Sequence, residues 1–141
     1  MWADWLIRAI PAKLATVVLD SFVGYFPPRS QGPLFRVFGG CGSAPLNGFP
    51  GQTDLEAECD AGNLTLQAVV SSALAEHPSV AFAHVSSKTD AIQISFYVAI
   101  GALNTSLDAS ITPEEFYRGI NEIFERLEPS IETHSSPPSS C

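Results

Sequence analysis

Hydrophobic and polar positions change period several times along this chain, and each change marks an element. Trp2, Trp5, Leu6, Ala9 and Ile10 recur at helical spacing before Pro11 interrupts the pattern. Residues 14–19 follow as a continuous apolar run rich in valine, which predicts a strand buried on both faces as in a parallel sheet. The aromatic stretch 22–26 runs into Pro27-Pro28-Arg29-Ser30, which continues neither a helix nor a central strand. Leu66, Val69, Val70, Ala73 and Leu74 fall on one face of a helix that Asn63 or Thr65 can cap and that closes before His77-Pro78. The apolar run 80–85 is the next strand.

After Asp90 two periods compete. Ile92, Ile94, Phe96 and Val98 alternate as in a strand, while Ile92, Phe96, Ala99 and Ile100 fit a helix; helix is the reading adopted. Thr112-Pro113-Glu114-Glu115 is a helix start, with Thr112 as cap, Pro113 where a missing amide does no harm, and Glu115 able to return the capping-box bond. Phe116, Ile120, Ile123, Phe124 and Leu127 form its buried stripe, and the acids between them a solvated face. Residues 131–134 read as a short edge strand. The order is that of an α/β protein with parallel strands.

The 141 residues suit one domain, with the Gly- and Pro-punctuated segment 31–62 as a loop insertion. A hydrophobic fraction of 45% against 16% charged residues describes a globular body. Seven basic against fifteen acidic residues, a net charge of −8, disfavour nucleic acid and anionic membrane surfaces, which need clustered Lys and Arg.

Of the 3 cysteines, Cys41 and Cys59 are in position to staple the long loop, and Cys141 is the last residue. Their spacing does not suit zinc. A disulfide-bearing secreted protein is the preferred reading over free thiols. Two Asn-x-Ser/Thr sequons, at Asn63 and Asn104, lean the same way. No secretory signal is visible at the amino terminus, and both ends read as cut, the first inside a helix and the last in mid-turn.

Gly39-Gly40-Cys41-Gly42 lacks the Lys-Ser/Thr partner of a phosphate loop. His84, alone in an apolar run, reads as a core residue. Asp90 is the strongest candidate for chemistry, because it follows a strand of the predicted sheet, where ligands and catalytic side chains of α/β folds gather. Thr89-Asp90 before a helix is equally an ordinary capping arrangement. Asp20 and Ser21 stand at the other strand end.

The segment Phe82-Ala83-His84-Val85-Ser86-Ser87-Lys88-Thr89-Asp90-Ala91-Ile92-Gln93, followed by Phe96-Tyr97, together with Leu19-Asp20-Ser21 and the 41–59 loop, resembles the pectin acetylesterase family, which includes the Notum-type carboxylesterases. That resemblance implies a partial α/β-hydrolase domain of a secreted enzyme that removes acyl groups from polysaccharides or lipidated proteins through a Ser-Asp-His triad. It implies that Asp90, with Gln93 after it, is the triad acid, and that Asp20, Ser21, Phe22 and Tyr25 line the acyl or sugar pocket. The strand 14–19 corresponds to the one after the nucleophile helix, so residues 2–10 would be that helix's tail and the serine would precede Met1. No Gly-x-Ser-x-Gly elbow occurs in the chain, Gly42-Ser43-Ala44-Pro45 lacking the flanking glycines. His134 aligns poorly with the family histidine, which is expected past Cys141. The fragment is therefore expected to be inactive alone.

No metal or organic cofactor is called for, since a triad and an oxyanion hole suffice. The expected partner is an acetylated polysaccharide or other acyl ester, with no nucleic acid and no membrane span. The competing readings are a non-catalytic secreted glycan-binding homologue and an unrelated cytosolic α/β domain, the latter favoured by free thiols at Cys41 and Cys59.

Overall fold

The computed structural model describes residues 2–10, 15–20, 24–41, 48, 51–103 and 110–127, with side chains described from Leu6 onward. Its elements are α1 (Trp2–Ala9), β1 (Thr16–Asp20), α2 (Gln31–Val37), α3 (Gln52–Asp60), α4 (Leu66–Glu76), β2 (Ala81–Val85), α5 (Ala91–Leu103) and α6 (Pro113–Leu127). The α/β class follows directly: β1 and β2 pair in parallel, Thr16 opposite Ala81 through Asp20 opposite Val85. Among its described residues, the segment expected as a loop holds two short helices, α2 and α3. The expected strand 131–134, with His134, and Cys141 lie outside the described residues.

Local chemistry sets the helix starts. The Thr65 hydroxyl accepts the Ala68 amide at 3.1 Å and so caps α4. At α6 the capping box closes in both directions, the Glu115 amide donating to Thr112 Oγ1 at 3.2 Å and the Thr112 amide to Glu115 Oε2 at 2.9 Å. These bonds hold the Glu115 carboxyl below its ordinary pKa, the Thr112 backbone bond being the largest cause.

The core has two parts that meet on α4. Leu55, Cys59, Leu64, Val69 and Ala73 form one, with Phe35 and Cys41 against it. Leu74, Phe116, Ile120, Ile123 and Leu127 form the other, joined by Val70 and by Phe82 of the sheet. Phe116 is the centre of the second. Tyr25 stacks on Tyr97 at 5.2 Å and meets Phe116 edge-on at 5.5 Å. Gly119 is required there, since a Cβ would collide with the Tyr25 ring.

The expectation that the first strand is buried on both faces is not met. Val17 and Leu19 of β1 and Phe82 and His84 of β2 are half-buried, whereas Val18 (61% exposed), Ala83 and Val85 (56%) face outward. The reason is that α4 and α6 pack on one face of the sheet, and no described element covers the other. Helix α5 shows the same imbalance. It is apolar around most of its circumference, yet only Ile94 and Tyr97 join the core, leaving Ile92 (71%) and Phe96 (62%) exposed.

A disulfide joins Cys41, just past α2, to Cys59 in α3, closing a loop of 18 residues with the Cys59 side chain fully buried. By chain entropy a loop of this size contributes about 3 kcal/mol. Cys59→Ala is therefore expected to lower the unfolding free energy by about 3 kcal/mol in a urea titration. A loss under about 1 kcal/mol would show that packing alone holds this lobe.

Candidate functional site

The connection from β2 to α5 is where the strongest candidate acid sits. The strand ends at Val85, the loop runs through Ser86 and Lys88, and α5 begins after Asp90. Asp90 Oδ1 accepts the amides of Ile92 at 3.1 Å and Gln93 at 3.0 Å, and Oδ2 accepts from Gln93 Nε2 at 3.0 Å. The two backbone donors are orphan amides of the first turn, so the carboxylate caps α5. The Gln93 backbone bond is the largest of the causes that hold the Asp90 carboxyl below its ordinary pKa; the Gln93 side chain and the Ile92 amide add to it. Lys88 lies 5.3 Å from the centre of the Tyr117 ring, which ties the same loop to α6.

The other predicted residues are distributed unevenly. Asp20 stands at the exposed end of β1 opposite Val85, on the carboxyl edge of the sheet that also leads to Asp90. Tyr25 is an internal packing ring, stacked on Tyr97. It also borders a crevice of about 440 Å³ shared with Gln31, Thr65, Gln67 and Arg126. Ser21 and Phe22 lie outside the described residues. Cys41 and Cys59 form the disulfide, far in role from chemistry. Among the described residues no three His, Cys, Asp or Glu side chains gather as a metal site, and no helix is long and apolar enough to cross a membrane.

Sequence reasoning passed over a pair of glutamines. Gln31 donates to the Gly24 carbonyl at 3.2 Å and to Gln67 Oε1 at 3.1 Å, and accepts the Leu66 amide at 2.8 Å. Gln67 donates to the same Gly24 carbonyl at 2.8 Å. Together they fasten the chain leaving β1 to the starts of α2 and α4. Gly24 has φ of +77°, and a Cβ there would meet Leu66, so only glycine allows this approach. Nothing in the spacing of 31 and 67 announces the contact.

His84, a core residue by its apolar surroundings in sequence, is half-buried against Phe124 at 5.3 Å between ring centres. Neither imidazole nitrogen has a hydrogen-bond partner, and Ser86 Oγ, two residues on, is likewise buried and unpartnered. Burial lowers the His84 pKa, which favours the neutral ring. A crevice of about 410 Å³ adjoins it, walled by Leu19, Leu74, Phe82 and Phe124 with Glu125 among its lining residues.

No protein-family model, no characterised protein and no solved structure matches the chain.

Two outcomes follow from this geometry. Asp90→Ala removes the α5 cap and is expected to cost about 1 kcal/mol at pH 7, whereas Asp90→Asn, which caps equally well, should cost only a few tenths. Because the Asp90 pKa is depressed on folding, its contribution is present above the unfolded value near 4 and is lost as pH falls through the folded value; acid titrations of the Ala variant should lack that component. For His84 the depressed pKa has the opposite consequence. The unfolded chain binds a proton near pH 6.5 that the folded chain refuses, so stability drops below that pH. His84→Phe should flatten the stability curve as pH falls below 6.5, and an unchanged slope by denaturant titration would exclude this role.

Proposed function

We propose that this chain is part of a secreted serine carboxylesterase that deacetylates polysaccharide, similar to the pectin acetylesterases, with Asp90 as the acid of its triad. The observation that carries the reading is the held carboxylate of Asp90 on the strand-to-helix connection after β2, at the carboxyl edge of a parallel sheet. The Cys41–Cys59 disulfide supports an oxidising, extracellular setting. The uncovered apolar faces of the sheet and α5 support an α/β-hydrolase-like body of which further elements pack here.

In this reading the serine and the histidine come from outside these 141 residues. Asp90 accepts the histidine Nδ1–H, fixing the tautomer whose Nε2 takes the serine proton. The serine oxygen attacks the acetyl carbonyl, the sugar hydroxyl leaves with that proton, and water then releases acetate from the acyl-serine. Gln93 and the α5 amides keep the carboxylate ionised and oriented, leaving Oδ2 lone-pair capacity for the histidine. Asp20, Ser21, Phe22 and Tyr25 are assigned to the substrate side of the same edge. The chemistry asks for no metal or organic cofactor.

A second reading draws on the same three bonds, since they are also those of a helix cap. A non-catalytic glycan-binding homologue would keep Asp90 for that purpose alone.

Asp90→Asn in the full-length gene product separates the two, because asparagine caps but cannot hold an imidazolium. The expected result is a fall in kcat on acetylated pectin and p-nitrophenyl acetate of about 10³–10⁴-fold with little change in melting temperature. Activity within about fivefold of the parent would remove Asp90 from the triad. Turnover by the isolated chain above the buffer rate would overturn the division of the triad.

A further inference from the structure

We infer that Asn63 is an attachment site for an N-linked oligosaccharide, on the corner between α3 and α4. Asn63-Leu64-Thr65 is one of two acceptor tripeptides in the sequence, and the other, at Asn104, lies outside the described residues. A tripeptide alone is a weak signal, so its setting decides. Asn63 is exposed. Its backbone amide donates to the Glu58 carbonyl at 2.8 Å. It follows Gly62, whose φ of +78° turns the chain out of α3. The neighbours on the other side point inward or along the helix: Leu64 is 1% exposed and the Thr65 hydroxyl caps α4. A sugar on Asn63 Nδ2 therefore projects into solvent without displacing any contact of the core.

The modification is a group transfer from a polyprenyl-diphosphate-linked oligosaccharide. The Asn63 Nδ2–C1 bond forms as the anomeric carbon–oxygen bond to diphosphate breaks; Nδ2 releases one proton and the polyprenyl diphosphate leaves. Because Leu64 is buried and Thr65 is committed to the cap once α3 and α4 pack, the transfer precedes the folding of this corner.

The inference rests on the secreted reading, and the test distinguishes their failures. The full-length gene product, expressed in a eukaryotic host with its own leader, is digested with peptide-N-glycosidase, which converts a glycosylated asparagine to aspartate readable by peptide mass spectrometry. The expected result is conversion at position 63 and loss of one glycan's electrophoretic shift in both Asn63→Gln and Thr65→Asn. The second variant keeps a capping side chain and the Asn63 amide while destroying the acceptor pattern, so its effect is not one of folding. A secreted, disulfide-bonded product with unmodified Asn63 would overturn the inference and leave the esterase reading standing. A product retained in the cytosol with free thiols at Cys41 and Cys59 would overturn both.

Discussion

Helix α4 belongs to two cores at once, and the rest of the structure depends on that. Val69 and Ala73 close the small lobe containing Leu55, Cys59 and Leu64, while Val70 and Leu74 turn toward Phe116, Ile120 and the sheet. An eleven-residue helix has little stability of its own, so its form is owed to tertiary contact on both sides. Each lobe is too small to bury much apolar surface alone. Coupled through α4, they share one helix and one entropy cost. The disulfide and the two glutamines reinforce this hub, one by restricting the unfolded chain, the other by satisfying orphan backbone groups.

The strength of that hub contrasts with the uncovered faces of the sheet and of α5. Val18, Val85, Ile92 and Phe96 are all largely exposed, and each exposed side chain of this size forgoes about 1.5–3 kcal/mol that burial would contribute. A chain with such uncovered faces is stable only to the extent that α4, α5 and α6 compensate from within. Phe116 and Gly119 do so by admitting the Tyr25 ring, which brings the segment after β1 against α5 and α6. Tyr25 is in this respect a structural latch as much as a candidate pocket wall.

Asp90 illustrates how one geometry can serve both stability and chemistry. A carboxylate held by two helix amides and a glutamine is fixed in rotamer and kept ionised, which is what a helix start needs and also what an orienting acid needs. His84 has no such support. Its two nitrogens and Ser86 Oγ remain unpartnered at the carboxyl end of β2, and a buried unsatisfied group of this kind costs about 1–3 kcal/mol.

Much of the local architecture was legible in the residues. The capping box at Thr112, the cap at Thr65 and the helix after Asp90 are set by short-range periodicity and side-chain chemistry, and the parallel arrangement of the two strands follows from the order of elements. Two features were not. The helices inside the 31–62 segment are short and flanked by glycines, so their pattern is too brief to read, and they exist because Cys59, Leu55 and Phe35 pack against α4. The open face of the sheet was read as buried, because an apolar run states what a strand tolerates on each face and not what is there to cover it. The sequence by itself determined where elements begin, which faces are apolar and that Asp90 starts a helix after a strand. Only the tertiary structure decided that Gln31 meets Gln67 across 36 positions and that Tyr25 is a core ring, since these depend on distant segments converging in space.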